Sequence, residues 1–311
     1  MDKPLMIMMC GLPGSGKSTQ AVELAKFYHA NIHSSDDIRQ ELFTDVDSVE
    51  PEQNQKVFKL LHERVKEDLR KGQSTIYDAT NISWKRRKAF LDEIKSIDCV
   101  KLCYVVLAPY AICLENNKMR KRHVPESVIE NMYKNWYTPY CYEGWDDITL
   151  WYSSEYADDL QIKGWVDRMK SFDQQNSYHN LTLGDHCECV QEYFGRYCDN
   201  GELFRGHINE LHDAYSACLL HDCGKPFTKE IRDGEAHYYG HQCVGAYDSL
   251  FFQTYNLKDP LFRSVLVNWH MQPYSWEGKE NSKTERKYKR LWGDRLYNII
   301  MLLHEADVNA H

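Results

Sequence analysis

Short apolar runs alternate with amphipathic stretches in the first half of the chain. Residues 5–10, the segment ending at Ser34, residues 75–78 and 100–107, and a last run over 145–151 are apolar. The stretch over 20–28 and the polar stretches after the other runs have helical spacing. Apolar runs this short, separated by helices, are typical of parallel strands buried on both faces of an α/β sheet.

The pattern changes after residue 153. Residues 153–177 are polar, charged and poor in long apolar runs, and the chain beyond them has helical spacing throughout. A chain of 311 residues is long enough for two cores. We therefore predict an α/β domain over 1–155 with a parallel sheet flanked by helices, a linker over 156–172, and an all-α domain over 173–311.

Composition narrows the class of protein. The 42% of hydrophobic residues is ordinary for a globular protein, and the net charge of −8 argues against a protein that coats nucleic acid non-specifically. Eleven scattered cysteines without a secretion signal predict reduced thiols and a cytoplasmic location. The N-terminal apolar run leads straight into a glycine-rich loop, which predicts a buried strand rather than a signal peptide, and no run approaches the roughly 18 residues that span a bilayer.

A glycine-rich loop follows the first apolar run. The sequence Gly-Leu-Pro-Gly-Ser-Gly-Lys-Ser-Thr over 11–19 lies between a predicted strand and a predicted helix, the context that a phosphate-binding P-loop requires. Lys17 is expected to reach the β- and γ-phosphates of ATP, and Ser18 to bind Mg²⁺. The residues expected to contact the nucleotide are Gly11, Pro13, Gly14, Ser15, Gly16, Lys17, Ser18 and Thr19.

Polar residues lie where the next two strands end. Asp36, Asp37 and Arg39 follow the second strand, and Asp78 and Asn81 follow the third. Open parallel sheets bind ligands at this edge, and phosphoryl transfer to a hydroxyl needs a proton acceptor and cations. Asp36 is a candidate for the general base, and Arg39 is a candidate to bind a phosphate of the acceptor. Asp36 or Asp37 could equally cap the helix that begins there.

Two basic clusters occur in the same half, over 85–88 and 118–122. Such clusters are as consistent with solvated helix faces as with contacts to a phosphate backbone. The second cluster lies at the end of a helix or in a lid, from which an arginine can stabilise the charge of the transition state.

Residues 1–155 resemble the kinase domain of the polynucleotide 5′-hydroxyl kinases of bacteriophages and bacteria. The resemblance is carried by GLPGSGKST, SSDDIRQ, DATN with the following KRR, and the basic lid that ends in His-Val-Pro at 123–125. It implies that Asp36 is the general base, that Arg39 contacts the phosphate of the acceptor, and that Asp78 joins Lys17 in the active site. The resemblance, anchored on Val124-Pro125, puts Met119 at the position of the family's lid arginine, and the neighbouring Arg120 is the residue that we predict for this role.

Histidines and aspartates in the second half have the spacing of metal ligands. His186, His221-Asp222 and Asp307 lie on separate predicted helices, and His241 and His270 lie at the ends of others. A lone histidine on an apolar face is more often a hydrogen-bonded core residue than a ligand, but this set is larger. Imidazole and carboxylate together suit Mn²⁺, Ni²⁺, Co²⁺, Fe²⁺ or Zn²⁺.

The same residues resemble the HD-domain phosphohydrolases over about 175–311, with the HD pair in Leu-Leu-His-Asp-Cys-Gly-Lys. The resemblance implies two metal sites that share Asp222. The first set is His186, His221, Asp222 and Asp307, and the second is Asp222, His241 and His270. Lys225 is expected to steady a substrate phosphate, and Gly224 to stop a helix. The remaining histidines are expected to be structural or on the surface, with His179 the strongest exception, and the basic run 286–290 to face solvent.

Together the two resemblances imply a bifunctional end-healing enzyme. ATP and Mg²⁺ would serve phosphorylation of 5′-OH ends of RNA or DNA, and the metal-dependent half would remove 3′ or 2′,3′-cyclic phosphates, so that a polynucleotide ligase is an expected partner. Two alternatives remain: a nucleoside or metabolite kinase fused to an HD nucleotidase, and a nucleotide sensor without turnover.

Overall fold

The computed structural model describes residues 3–43, 51–120, 122–153, 161–175, 180–198, 203–205, 207–252, 259–279 and 282–310. The chain divides into two compact units. The first unit comprises Met1–Met132 and Pro139–Glu155, and the second comprises Tyr133–Thr138 and Tyr156–His311. The six residues Tyr133–Thr138, which precede the last strand of the first unit, therefore belong to the second unit.

The first unit is built on a five-stranded parallel sheet with the order β2-β3-β1-β4-β5. Its strands are β1 (Leu5–Cys10), β2 (Asn31–Ser34), β3 (Thr75–Asp78), β4 (Val100–Leu107) and β5 (Asp147–Tyr152). Its helices are α1 (Lys17–Tyr28), α2 (Ser35–Leu42), α3 (Pro51–Arg70), α4 (Trp84–Glu93), α5 (Tyr110–Lys118) and α6 (Glu126–Tyr133). The predicted α/β parallel sheet is confirmed.

Strand β1 lies at the centre of the sheet and is buried. Met6–Cys10 are buried, and Ile7 and Met9 pack with Ile76, Val106 and the α1 residue Leu24. A strand covered on both faces needs apolar side chains at every position, which is why residues 5–10 show no alternation. Because all five strands are parallel, the loops after β1, β2 and β3 lie at one edge of the sheet.

The second unit is mainly helical. Its helices are α7 (Ile162–Met169), α8 (Leu183–Cys198), α9 (Ile208–Leu220), α10 (Lys225–Thr228), α11 (His241–Ser249), α12 (Pro260–Trp269) and α13 (Lys283–Asn309). Helix α8 packs against α9 and α13, and α12 packs against α9 and α11. The helix α7 occupies part of the range 156–172 that we expected to be a linker, and residues 156–160 lie outside the described residues.

One hairpin departs from the expectation of an all-helical second half. Strands β6 (Glu230–Arg232) and β7 (Glu235–His237) pair antiparallel. Asp233 and Gly234 join them with φ angles of 53° and 85°. Two positive φ angles at an Asp-Gly pair are the signature of a tight hairpin turn. Each strand has only three residues, which is too few to show an alternation of apolar and polar positions in the sequence.

Gly224 has a different role from the one expected. Helix α9 ends before it, and its φ angle is −81°, so it does not adopt the left-handed conformation of a helix stop. A Cβ at Gly224 would lie 2.1 Å from the carbonyl oxygen of His241. The glycine is required because α11 passes directly against it.

The remaining global expectations concern thiols and membranes. All eleven cysteines are free. Among the described helices, none combines the length and the hydropathy needed to cross a lipid bilayer.

Candidate functional site

The glycine-rich loop joins β1 to α1 in the first unit. Gly14 and Gly16 have φ angles of 83° and 94°, and a Cβ at Gly14 would lie 2.1 Å from the carbonyl oxygen of Cys113. The loop can therefore close only with glycine at that position. Gly16 precedes α1 and no side chain of the described residues caps the helix, so the N–H groups of its first turn remain available to an anion.

Two polar side chains of the loop are buried. The Lys17 ammonium donates to the carbonyl oxygen of Leu12 over 2.7 Å, and the Lys17 residue is only 8% exposed. The hydroxyl of Ser15 is buried and has no hydrogen-bond partner among the described residues. A buried hydroxyl without a partner is costly, and a bound phosphate would satisfy it. The structure places the other predicted loop residues, Gly11, Pro13, Ser18 and Thr19, in the same strand-loop-helix element.

Ser18 and Asp78 form an oxygen pair at the base of the loop. The Ser18 hydroxyl donates to Oδ2 of Asp78 over 2.9 Å, and Asp78 is buried at the end of β3. Burial raises the pKa of Asp78, against the lowering effect of Lys17. Burial, together with the charge of Arg120, lowers the pKa of Lys17, and Asp78 opposes that change. A hydroxyl and a carboxylate are ligands that Mg²⁺ accepts beside nucleotide phosphates.

Asp36 lies at the start of α2 and is the centre of an arginine cluster. Its Oδ1 lies 2.8 Å from Nη1 of Arg39 and 2.7 Å from Nη1 of Arg122, and its Oδ2 lies 3.4 Å from Nη2 of Arg120. The cap of α2 is Ser34, whose hydroxyl accepts from the backbone N–H groups of Asp36 and Asp37. Our alternative that an aspartate caps this helix is therefore wrong, and the carboxylate of Asp36 is directed to the arginines instead.

The basic cluster over 85–88 separates into buried and exposed members. Arg87 is fully buried, donates to both carboxylate oxygens of Glu143 over 2.8 and 2.6 Å, and donates to the carbonyl oxygen of Asn81 over 2.7 Å. Arg87 thus anchors the loop after β3, and the idea that it belongs to a solvated face or a phosphate contact is wrong. Lys85 and Arg86 are exposed. In the other cluster, Lys121 lies outside the described residues.

In the second unit, six predicted ligands meet in one buried cluster. His186 lies on α8, His221 and Asp222 follow α9, and Asp307 lies on α13. His241 opens α11 and His270 follows α12. Two groups have ligand atoms within 4.8 Å of one another: His186, His221 and Asp222, and Asp222, His241 and His270. Every one of the six residues is buried.

The tautomer of the four imidazoles follows from their hydrogen bonds. Each Nδ1 lies 2.7–2.9 Å from a backbone carbonyl oxygen, those of Ala310, Cys218, Tyr238 and Val267 for His186, His221, His241 and His270 in turn. A carbonyl only accepts, so Nδ1 carries the proton and Nε2 presents a lone pair. This backbone tether is the usual second contact of a metal-binding histidine.

The Nε2 atoms point at one another. They are separated by 3.3 Å between His186 and His221 and by 3.2 Å between His241 and His270. Two lone pairs at this distance repel unless a proton or a metal ion lies between them. Against the lowering effect of burial, Asp222 and Asp307 raise the pKa of His221. Donors bound at about 2.1 Å to one metal are separated by about 3 Å at right angles, so the spacing fits first-row metal ions.

The two carboxylate oxygens of Asp222 have different imidazole neighbours. Its Oδ2 lies 3.3 Å from Nε2 of His221, and its Oδ1 lies 3.1 Å from Nε2 of His241. Asp307 adds Oδ1 on the first side only, at 3.1 Å from Nε2 of His186 and 3.4 Å from Nε2 of His221. The two oxygens of one carboxylate thus face two sets of imidazoles.

The residues around the cluster contact its carboxylates. The Lys225 ammonium is buried. It lies 2.6 Å from Oδ2 of Asp222 and 2.7 Å from Oε1 of Gln174, so in this structure it contacts a predicted metal-binding residue. The Tyr274 hydroxyl lies 3.1 Å from Oδ2 of Asp307, and the Tyr274 ring packs edge-on against His304. His304 is buried and His179 lies outside the described residues.

Sequence patterns gave no signal for some of these residues. Gln174 falls at the edge of the polar stretch, and Tyr274 is a single aromatic residue in a 3-10 turn, Pro273–Ser275. Ser34 was detectable, because serine before a predicted helix is a preferred N-cap. Arg122 belongs to the basic cluster, but only the fold shows that it reaches Asp36.

Comparison with known proteins concerns mainly the first unit. Residues 6–139 match the model of a family described as AAA domain. The L-seryl-tRNA(Sec) kinase of Methanococcus maripaludis is 28% identical over 156 residues, which cover 47% of this chain and 58% of that protein. Protein kti12 of Schizosaccharomyces pombe is 28% identical over 152 residues, 45% of this chain and 54% of that protein. The chain spans little more than half the length of either relative.

The solved structures that this chain resembles give TM-scores below 0.5. A putative kinase from Chloroflexus aurantiacus gives a TM-score of 0.42 at 19% identity, covering 54% of this chain and 96% of that one. A chain of the Pnkp1/Rnl/Hen1 RNA repair complex gives a TM-score of 0.37 at 22% identity, covering 42% of this chain and 43% of that one. With the loop, the sheet order and the family match, the first unit is a nucleotide-binding P-loop domain of the kinase-like type.

Proposed function

We propose that this chain is a bifunctional enzyme that heals nucleic-acid ends. The first unit would transfer the γ-phosphate of ATP to the 5′-OH end of RNA or DNA, and the second would remove a 3′ or 2′,3′-cyclic phosphate. The observation that carries the proposal is the contact of Asp36 with Arg39, Arg120 and Arg122 at the sheet edge where the P-loop lies. A base among cations is the arrangement that phosphoryl transfer to a hydroxyl requires.

The residues of the first unit have separate roles in the proposed phosphoryl transfer. The loop and Lys17 bind the phosphates of ATP, and Ser18 and Asp78 would hold Mg²⁺, which supplies charge neutralisation when bound. Asp36 accepts the proton of the attacking hydroxyl. Arg39 holds a phosphate of the acceptor, and the arginines at 120 and 122 offset the charge that develops on the moving phosphoryl group.

The residues of the second unit suit a phosphate ester. The two sets joined by Asp222 would hold a pair of Mn²⁺, Ni²⁺, Co²⁺, Fe²⁺ or Zn²⁺ ions. Such ions supply an activated water and neutralise phosphate charge when bound. The backbone hydrogen bonds of His186, His221, His241 and His270 fix the orientation of the imidazoles that would hold the ions, and the residues themselves are buried.

The two activities produce the two ends that a ligase joins: a 5′-phosphate and a free 3′-OH. We therefore propose a polynucleotide ligase as functional partner and a cytosolic setting, where ATP is available. The curated relative whose name gives L-seryl-tRNA(Sec) as acceptor supports phosphoryl transfer to a group carried by RNA.

The kinase half is tested by transfer of labelled γ-phosphate from ATP to a short 5′-OH RNA and its DNA counterpart. We expect label on the oligonucleotide with wild-type protein, loss of about 10²-fold or more with Asp36→Ala, and near-normal transfer with Asp37→Ala as the matched control. Transfer to nucleosides that oligonucleotides do not compete with would replace the proposal by a small-molecule kinase. Bound ATP without turnover on any acceptor would replace it by a sensor.

The hydrolase half is tested with Mn²⁺-loaded protein and oligonucleotides that end in a 2′-, 3′- or 2′,3′-cyclic phosphate. We expect phosphate release or ring opening that Asp222→Ala abolishes while 5′-phosphorylation continues. Intact ends on every substrate would remove this half of the proposal.

A further inference from the structure

We propose that Tyr274 is a positioning residue of the metal site, which fixes the carboxylate of Asp307 in a one-oxygen binding geometry. This inference rests on the proposed metal-binding role of the cluster. It concerns a side chain to which neither resemblance assigns a role.

The two oxygens of Asp307 have different partners. Oδ1 faces the imidazoles, at 3.1 Å from Nε2 of His186 and 3.4 Å from Nε2 of His221. Oδ2 lies 3.1 Å from the Tyr274 hydroxyl, which donates to it. A carboxylate on a flexible stem can otherwise rotate and present either oxygen, or both, to an ion. The phenol removes that freedom because it occupies Oδ2.

Tyr274 is itself held in place. It lies in the turn Pro273–Ser275, which follows His270 by a few residues and begins at the buried Pro273. Its ring meets that of His304 at 4.4 Å between centroids and at 89° between planes. His304 precedes Asp307 by three residues on α13, so the ring and the hydroxyl of Tyr274 contact the same face of one helix.

The position of Tyr274 distinguishes it from the ligands. The Tyr274 residue is 40% exposed, whereas Asp307 is 7% exposed. A partly exposed tyrosine that reaches a buried carboxylate contributes little to a core, so removal of its hydroxyl affects the carboxylate more than the fold. Outer contacts of this kind typically change metal affinity or activity by about 10- to 100-fold.

The chain contains a matched control whose acceptor lies on the same helix as Asp307. The Tyr193 hydroxyl donates to Oε1 of Glu305, also over 3.1 Å, two residues before Asp307. Glu305 is exposed and outside the cluster. Tyr193→Phe therefore removes the same kind of hydrogen bond from α13 without touching a ligand.

The experiment measures Mn²⁺ affinity by titration calorimetry, the spectrum of bound Mn²⁺ by electron paramagnetic resonance, and kcat and KM for release of a terminal phosphate. We expect Tyr274→Phe to weaken Mn²⁺ binding or lower kcat by about 10-fold or more and to broaden the Mn²⁺ spectrum, with KM and the metal-free melting temperature unchanged. Tyr193→Phe should match wild type in every measurement.

The outcomes separate this inference from the proposed function. Wild-type protein that binds no Mn²⁺ would overturn the proposed hydrolase and the role of Tyr274 together. Wild-type affinity, spectrum and kcat in Tyr274→Phe, beside a Mn²⁺-binding wild type, would overturn the role of Tyr274 alone. An equal loss in Tyr193→Phe would also overturn it, because the effect would then belong to the helix.

Discussion

Asp36 shows how one side chain can be held ready for chemistry by its neighbours. The Ser34 hydroxyl caps α2, so the carboxylate of Asp36 is not needed to accept hydrogen bonds from the first backbone N–H groups of the helix. Three guanidinium groups then surround it. The carboxylate of Asp36 therefore lies among cations of the kind that transfer of a phosphoryl group requires.

Arg122 should be at least as important to the transfer as Arg120. Nη1 of Arg122 lies 2.7 Å from Asp36, against 3.4 Å for Nη2 of Arg120. We expect Arg122→Ala to lower kcat by about 10³-fold, because an arginine that acts on the transition state typically contributes that much or more. Arg120→Ala should lower kcat as well, by no more than Arg122→Ala.

The control for this comparison is Lys118→Ala. Lys118 is in the same basic cluster, but it pairs with Glu126 on the surface over 3.4 Å. The kcat of Lys118→Ala for phosphate transfer should stay within about twofold of wild type, as expected for an exposed pair. A normal kcat in Arg122→Ala would leave Arg120 as the lid arginine and show that the contact of Arg122 with Asp36 is not catalytic.

At the scale of elements, Gly224 determines how closely α11 approaches the chain that follows α9. A Cβ at this position would meet the carbonyl oxygen of His241 at 2.1 Å and the backbone nitrogen of Gly245 at 2.7 Å. We expect Gly224→Ala to destabilise the second unit by about 1–3 kcal/mol or more and to weaken Mn²⁺ binding, because α11 must move with His241. Thermal melting and Mn²⁺ titration measure both effects.

Gly164→Ala is the matched control for that substitution. Gly164 lies inside α7, and a Cβ there would contact only Nη1 of Arg168 among the described residues, at 3.7 Å. Alanine should stabilise this helix by about 0.5–1 kcal/mol. If Gly224→Ala also raised the melting temperature and kept Mn²⁺ affinity, the close approach of α11 would be unimportant to the site.

Helix α11 also carries a pH-dependent group. Burial raises the pKa of Asp248 to about 7 from its ordinary 3.8, against the hydrogen bond that Tyr133 donates to it. Between pH 4 and 7 the folded state therefore keeps a proton that the unfolded state releases, so stability falls as pH rises through this window. Asp248→Asn stays neutral and should escape that loss.

We expect the advantage of Asp248→Asn over wild type to grow from pH 4 to 7 and then to remain constant. The free energy of opening of α11, from amide hydrogen exchange, measures it. Asp294→Asn, at an aspartate with 85% of its side chain exposed, is the control for removal of one carboxylate from the second unit. A difference between Asp248→Asn and wild type that is independent of pH would mean that Asp248 titrates normally.

The elements that the sequence predicted well are those with one physical signal. Residues 5–10 are a continuous apolar run because β1 is buried from Met6 to Cys10, and residues 100–107 are mainly apolar because the second half of β4 is mostly buried; the structure has both strands at the predicted bounds. The hairpin β6–β7 was missed because its strands are three residues each and largely exposed. Helix α7 was missed because it begins within a polar stretch that resembles a linker.

The candidate sites divide in the same way. The P-loop was predictable because its backbone conformation requires particular residues at fixed spacing. The ligand set came from the resemblance, and the fold brings its six members together. Contacts between side chains far apart in sequence, such as Tyr274 with Asp307 or Arg87 with Glu143, leave no local pattern.

At the scale of the whole molecule, the chain crosses between the two units three times. Tyr133–Thr138 belong to the second unit, and Pro139–Glu155 return to the first. The backbone N–H of Thr138 donates to Oδ1 of Asn268 over 2.8 Å, and Nδ2 of Asn268 donates to the carbonyl oxygen of Trp136 over 3.0 Å. Asn268 precedes His270 by two residues, so the short segment supports the helix that ends at a predicted ligand.

Trp136 should accordingly stabilise the second unit, although it lies within the range first predicted for the kinase domain. Its side chain is fully buried, and its ring packs against Tyr247 at 4.9 Å between centroids. Trp136→Ala should lower the free energy of unfolding by about 3–5 kcal/mol, as for other buried aromatic residues, and should weaken Mn²⁺ binding while ATP binding persists.

Trp145→Ala is the control in the first unit. Trp145 donates to Glu143 within that unit over 3.0 Å, so its removal should affect ATP binding instead. Titration of each variant with Mn²⁺ and with ATP decides between the two, and loss of ATP binding alone in Trp136→Ala would place the segment with the kinase domain after all.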